Sequence, residues 1–567
     1  MILVLISWIY ILFTTVTLGL FLNYTAKLKC NNIITISFIG FITATIFGSF
    51  WAIFGRINIE FHIFLILINF ILGVKYKSDL INTFRSIIEQ IVELSKSIKI
   101  FLFILTILIA AKCSSFSNYI DNETYYIQTI KWLNEYGFVK GLVNLHIFLG
   151  QTSGWHIAQS VFSFSFLHQD LNDINGLCLL LFNIFALIKL NSFWQNKNPL
   201  FLIIGLLPIT NIFLFQFIGI PSPDLAVYLL SSLLFYYFIK HFNNIETGSY
   251  NLIFIFSIFI VYIKISSLPI LLLPLILLAL NFKKLYLNIY ISYIFGILVF
   301  GLFIIKNLII TGYPFFPSQI FKDVIYFDYK LPIELFNFSF NSARLYGSTV
   351  LKSEFESMNV FQIFIKWLIY SKIDSIFNIL IILSILITPY FLKNYLNKKS
   401  YWILYVVFLF QLIFLFLTSP QYRFILNFVI IFDLIIISGL IKSKRIITYL
   451  LNFSIIIILF SFIYPIKPFS SIKNKLFKVT SGLLIENIFI PFDNSNLNTN
   501  YKVYKIGNLK YYSPDKKILI WGTGNGKLPC LNKKQVLYFK KKYGYVPQKR
   551  TNELKDGFYS KNTIENE

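Results

Sequence analysis

Charge is scarce in this sequence. Only 13% of the residues are Asp, Glu, Lys or Arg and 57% are hydrophobic, so the apolar surface cannot be hidden in one soluble core, and a water-soluble globule is excluded. Cysteine is scarce as well. Cys30, Cys113, Cys178 and Cys530 stand far apart, with no metal-ligand spacing and no disulfide framework, which argues against thiol and zinc chemistry. No repeat of fixed period is visible. Acid is the rarer sign of charge: 25 Asp and Glu face 50 Lys and Arg, a net charge of +25. In a soluble chain that excess would suggest nucleic acid. Here the basic residues sit in short connections between apolar runs, as the positive-inside rule expects, and no nucleic-acid partner is predicted. The first run, Met1 to Leu22, has no basic n-region and no small-residue cleavage site, so it reads as a retained helix.

What the chain does have is apolar sequence in lengths that suit the lipid bilayer. A hydrocarbon core of about 30 Å asks for about 20 apolar residues per helix. Such runs are predicted near 1–22, 33–54, 61–74, 98–113, 176–190, 200–218, 224–239, 251–263, 267–281, 286–306, 372–391, 401–418, 423–441 and 447–465, about fourteen spans. Under that count the clusters Lys75/Lys77/Arg85/Lys96/Lys99, Lys189/Lys197, Lys283/Lys284, Lys393/Lys398/Lys399 and Lys442/Lys444/Arg445 fall on one side, the cytoplasmic one. The other side receives the 114–175 and 307–371 loops, the Ile220–Asp224 and Ser419–Arg423 turns, and the tail after 466. The expected fold is an all-α polytopic membrane protein with a small α/β or β C-terminal extracytoplasmic domain. Residues 1–97 supply the first helices and a cytoplasmic connection, 98–465 the transmembrane core and 466–567 the C-terminal domain. In that last part, Tyr501–Ile506 and Leu509–Tyr512 flank Gly507-Asn508 like a hairpin, and Lys516–Trp521 reads as a further strand.

Loops carry sites, and the first outer loop has unusual content. Asp121, Tyr125, Gln128 and Trp132 recur at i, i+4, i+7 and i+11, one face of a helix near the membrane surface. Asp121 is either an N-cap or a general base or metal ligand at a half-desolvated interface, and Glu123 is at least a first-turn acid. His146, Ser153 and His156 follow in the same loop with Trp155, polar and aromatic groups of the kind that hold a sugar; packing is the plain alternative for each histidine. Asp224 follows Ser222-Pro223 and either belongs to a capped first turn or opens a helix on the same face as Asp121. Lys264 lies between two apolar runs, where an ammonium is costly unless paired or bound to an anion, though in a hairpin it would snorkel. Arg423 begins a span and either anchors it at the interface or grips a phosphate. Gly522-Thr523-Gly524-Asn525-Gly526-Lys527 mimics a phosphate loop, but only three residues separate Gly522 from Gly526 and Leu528 follows the lysine, so it is read as a turn.

An acid pair after an early span, a large first outer loop, many further helices and a water-facing C-terminal domain together resemble the GT-C superfamily of integral membrane glycosyltransferases. That superfamily includes the protein O-mannosyltransferases and the lipid A aminoarabinose transferase. The chain is also similar to a branch of bacterial multi-pass membrane proteins. The similarity lies at Tyr136-Gly137, Gly141-Leu142, Asn144-Leu145-His146, Gly312-Tyr313-Pro314, Phe316-Pro317, Tyr422-Arg423-Phe424, Leu528-Pro529-Cys530 and Asp556-Gly557-Phe558. It departs from that branch at Phe148, Thr152 and Ile520, where the relatives have Arg, Asn and a second Cys, which puts both a tail disulfide and the loop's substrate contacts in question.

The resemblance implies inverting transfer of a sugar from a polyprenyl-phosphate carrier to an extracytoplasmic glycan, lipid or protein, at a bacterial inner (plasma) membrane. Asp121 would be the base. Glu123 would support it or share a divalent metal ion, Mg or Mn, with it; members of the superfamily differ in metal use. Lys264 and Arg423 would stabilise the departing phosphate, and Tyr125, His146, Ser153, His156 and Asp224 would line the substrate site. Two other readings are an O-antigen-type polymerase or ligase, for which outer-loop arginines should dominate although Arg344 is the only one in 307–371, and a transporter or flippase of lipid-linked glycans.

Overall fold

A computed structural model describes residues 1–116, 119–168, 174–286, 289–345, 357–370, 372–463, 483–497, 499–515 and 519–563. Helical structure occurs at each of the fourteen expected positions, but not every one is a span. Among the described residues, eight helical stretches are long and apolar enough to cross a membrane: Ile2–Thr25 (α1), Ile33–Phe54 (α2), Lys96–Ser114, Ile174–Asn196, Pro199–Phe217, Tyr290–Thr311, Asp374–Tyr395 and Lys399–Thr418. A ninth is possible by composition if Ile59–Lys75 (α3) and Lys77–Val92 (α4), bent by 88°, count as one. The chain is thus a multi-pass membrane protein, and about fourteen full spans is more than these helices provide. The shortfall has a physical cause: apolar stretches such as Thr247–Ile263, Ile265–Leu280 and Leu426–Leu440 are interrupted or too short to cross alone. A second difference is α4, a helix where the sequence predicts a plain basic connection.

α1 and α2 make the closest helix pair, and small residues permit it. A Cβ on Gly19 would lie 1.9 Å from the Ile36 carbonyl oxygen, and one on Gly40 1.7 Å from that of Thr15. Backbones this close gain dispersion contacts along the pair, and Thr15 and Ser37 add a hydroxyl contact of 2.8 Å at its centre. Helix Lys96–Ser114 (α5) then carries the chain back to the level where the first large loop begins.

That loop is folded throughout its described part. A π-helical turn, Asn122–Tyr126, runs into the helix Ile127–Tyr136, and Gly154–Val161 forms a further helix. The region 307–371 likewise contains helices Ile333–Leu345 and Val360–Leu368. The C-terminal region is small and partly β. Tyr501–Ile506 (β1) and Leu509–Pro514 (β2) pair antiparallel with Ile506 opposite Leu509, closing on Gly507-Asn508 as expected. A second hairpin, Tyr545–Lys549 (β3) with Phe558–Asn562 (β4), follows the helix Lys533–Tyr543 and has no counterpart in the sequence reading. The expected strand Lys516–Trp521 lies partly outside the described residues, and its described end is a turn.

This region is packed onto the first loop. The Phe558 amide donates to the Lys140 carbonyl at 2.9 Å, and Ser560 donates to the Asn144 side chain at 2.8 Å. Gly141 makes the approach possible: its φ is +63°, and a Cβ there would lie 2.1 Å from the Phe558 carbonyl oxygen.

A candidate site of two ion pairs

Four separated segments bring their charges to one place. Asp121 stands where α5 gives way to the π-helical turn, a distortion often found at functional sites. It does not cap that turn, since its side chain makes no cap hydrogen bond. Its Oδ2 instead accepts from Arg423 Nη1 at 2.7 Å. Arg423 lies in a single 3-10 turn, Tyr422–Phe424, between Lys399–Thr418 and Leu426–Leu440. Tyr119 accepts from the same Nη1 at 2.8 Å, and Gln421 accepts from Nε at 2.9 Å. Nη2 has no partner among the described residues.

Asp224 supplies the second carboxylate. Ser222 caps its helix, Pro223–His241, and accepts from the Asp224 amide. The Asp224 side chain is thereby freed to pair with Lys264 Nζ. Lys264 can reach because the helix Thr247–Ile263 ends there in extended backbone, φ −149° and ψ 106°, before a 3-10 turn resumes. The helix stops at Lys264, and the chain turns back so that Leu272–Leu280 packs against Thr247–Ile263, as the hairpin alternative expects. The ammonium also lies 3.8 Å from the centre of the Phe424 ring. The two pairs touch, with Arg423 Nη1 3.8 Å from Asp224 Oδ2. Their depths differ: the Asp224 side chain is 1% exposed and Lys264 16%, whereas Asp121 and Arg423 are 22% and 23% exposed. The Asp121–Arg423 pair is the accessible one.

The other proposed residues have different surroundings. Glu123 is buried and accepts from Ser495 at 2.6 Å and from the Asn496 amide at 2.8 Å, while its carbonyl accepts from the Thr523 and Gly524 amides, each at 2.9 Å. It is a clamp for the C-terminal region. The pseudo-phosphate loop therefore binds protein: Gln128 donates to the Gly524 and Gly526 carbonyls, and Lys131 to those of Asn525 and Gly526. Both nitrogens of His146 are engaged, by the Phe148 amide and by the Trp521 carbonyl, and burial pushes its pKa down to about 4. It is a neutral ring that seats the same region.

Ser153 caps Gly154–Val161, and His156 Nδ1 accepts from the Ser153 amide in return. His156 Nε2 is buried without a partner, and burial, reinforced by Lys306, pushes the ring's pKa down to about 3. Tyr125 is buried and packs edge-on to Tyr126 and His156, within electrostatic reach of Asp121 and Arg423. Among the described residues no group of three His, Cys, Asp or Glu side chains is placed to hold a metal ion. With Asp121 on Arg423 and Glu123 on Ser495 and Asn496, these two acids do not present a joint ligand set.

Sequence reasoning missed Tyr119, Gln421 and Lys306. Lys306 carried the same signal as Lys264, a lone cation in an apolar run. It is 3% exposed and donates to the Thr152 carbonyl and to Asn307 Oδ1.

Burial pushes the Glu123 carboxyl up to about 7, against the donors Ser495, Asn496 and Asn122, which pull it down. A folded-state value above the ordinary one means that folding takes up a proton in between. The clamp is therefore tightest below about pH 4.3 and weakens as pH rises through about 7. Proteolytic release of the C-terminal region should accelerate between about pH 5 and about pH 8, and Glu123→Gln should flatten that dependence.

The chain belongs to the family DUF8201, a domain of unknown function, whose family model matches residues 1–430. Asp121, Asp224, Lys264 and Arg423 all lie within the match, and the C-terminal region lies beyond it. No curated protein matches the chain, and no solved structure does.

Proposed function

We propose that this membrane protein is an inverting glycosyltransferase of GT-C type, taking a sugar from a polyprenyl-phosphate carrier to an extracytoplasmic acceptor. In this reading the membrane is a bacterial plasma membrane, and the site and the C-terminal region face away from the cytoplasm. The observation that supports it is the cluster itself: an accessible acid and an accessible arginine, backed by a deeper Asp224–Lys264 pair, drawn from four segments of a multi-pass protein.

Asp121 Oδ1 has no partner among the described residues and takes the proton of the acceptor hydroxyl. The acceptor oxygen bonds to the anomeric carbon from the face opposite the phosphate. The bond from that carbon to the phosphate oxygen breaks, its electron pair staying with the lipid phosphate, which gains one negative charge as Asp121 loses one. Arg423 spans both ends of this exchange: Nη1 holds Asp121 Oδ2 in place, and Nη2 meets the charge that grows on the phosphate. Preorganised charge of this kind is often the largest catalytic term. Asp224, itself held by Lys264, lies 3.8 Å from Nη1 and helps to fix the guanidinium. No step is routed through a metal ion.

Reconstituted in nanodiscs, the purified protein should bind a polyprenyl-phosphate sugar, and Arg423→Gln should weaken that binding at least tenfold, the loss of about one charge-assisted hydrogen bond. Equal binding by both proteins, or displacement by a soluble solute, would refute the assignment.

A further inference from the structure

The bend between α3 and α4 builds a second site, away from the ion pairs. Asn58, at the start of α3, donates to the Asn134 carbonyl at 3.0 Å, so α3 begins at the level of the first loop. α5 returns the chain to that level over 19 residues, a rise of about 28 Å. The bend therefore sits on the opposite face of the membrane from Asp121. α4 leaves α3 at 88°, and its sequence KSDLINTFRSIIEQIV puts Leu80, Ile81, Phe84 and Ile88 on one face, the pattern of a helix lying in the interface.

Between α1, α3 and this face of α4 lies a groove of about 1100 Å³, as large as the larger ligand pockets. Its walls are overwhelmingly apolar, with Phe13, Phe70 and Val74 opposite α4. Three polar features stand out. Asn69 is 5% exposed and donates to Thr14 at 3.0 Å, leaving its other amide atom, Oδ1, buried and unpartnered. Lys77 and Arg85 line the groove and form no ion pair among the described residues. Glu89 is the single acid on its wall. An apolar trough whose lining carries two cations against one acid, at the level of the headgroups, complements a lipid whose head is negative.

We propose that this groove is a binding site for an anionic phospholipid of the leaflet opposite the ion pairs, its acyl chains along Phe70, Val74 and Ile88 and its phosphate on Lys77 and Arg85. The inference is independent of the transfer reaction. The test is native mass spectrometry of the full-length protein with phosphatidylglycerol and phosphatidylcholine of identical acyl chains. The native protein should retain phosphatidylglycerol at least about tenfold more strongly, given the attraction of two cations near the surface.

The double variant Lys77→Gln/Arg85→Gln should hold the two lipids equally. Gly73→Phe should reduce retention of both by filling the trough, because a Cβ at Gly73 meets only Phe13 Cζ, at 3.9 Å, and no backbone. Equal retention by the native protein overturns the proposal, as does a preference that survives both variants. So does stronger retention of a polyprenyl phosphate, which would give the groove to the carrier lipid instead.

Discussion

Asp121→Asn should lower sugar transfer by about 10²- to 10⁴-fold, the usual contribution of a positioned general base, with the protein still folded. Asn keeps an oxygen for Arg423 Nη1, and Arg423 keeps Tyr119 and Gln421. What disappears is the ability to take a proton. Transfer of labelled sugar in nanodiscs, with the thermal midpoint measured alongside, separates this from misfolding. A protein that retains full transfer moves the base elsewhere, and Asp224 is the next carboxylate. Glu123→Gln is the informative companion: with its oxygens on Ser495 and Asn496, it should leave the chemical step within a few fold of the native rate.

The second large effect is on stability. Lys264→Ala strands Asp224, whose side chain is 1% exposed in the native protein, with its Oδ2 lacking a hydrogen bond and its nearest remaining cation, Arg423, 3.8 Å away. Stranding one partner of a buried pair costs about 3–5 kcal/mol. A large drop in thermal midpoint is therefore expected in detergent. Removing both charges, as Asp224→Asn with Lys264→Gln, should recover most of it, since a neutral pair carries no uncompensated charge. If the double variant is no more stable than Lys264→Ala, the loss comes from packing around Phe424 and not from the charge.

Much of the site was legible from the cost of burying charge. Lys264 was found because an ammonium between apolar runs demands a partner, and Asp224 is that partner. Arg423 and Asp121 were found as charges at the ends of helices. Their mutual pairing was not readable, because 302 residues separate them and no local periodicity reports such a contact. The neighbourhood of Asp121 misled in an instructive way. Glu123, Gln128 and His146 look like a polar substrate pocket in sequence, yet their polar atoms meet Ser495, Gly524 and Trp521. Polar side chains beside a membrane also serve to seat another part of the same chain.

The helices were legible wherever apolar runs were continuous. Their number as spans was not, because Thr247–Ile263, Ile265–Leu280 and Leu426–Leu440 are apolar helices too short to cross alone. α4 escaped notice because its charges, Lys77, Asp79, Arg85 and Glu89, hide an apolar face that only a helical projection reveals.

The clamp on the first loop also sets an order in time. Thr523 reaches back 399 residues to bond the carbonyl of Thr124, and Ser495 reaches back 372 residues to Glu123. During synthesis the segment bearing Asp121 must wait, already beside its membrane helix, until nearly the whole polypeptide has left the ribosome before it acquires its support. Maturation of the site is thus a late, post-translational event, and a chain cut short after its last membrane helix would carry every charge of the cluster without the brace that steadies it.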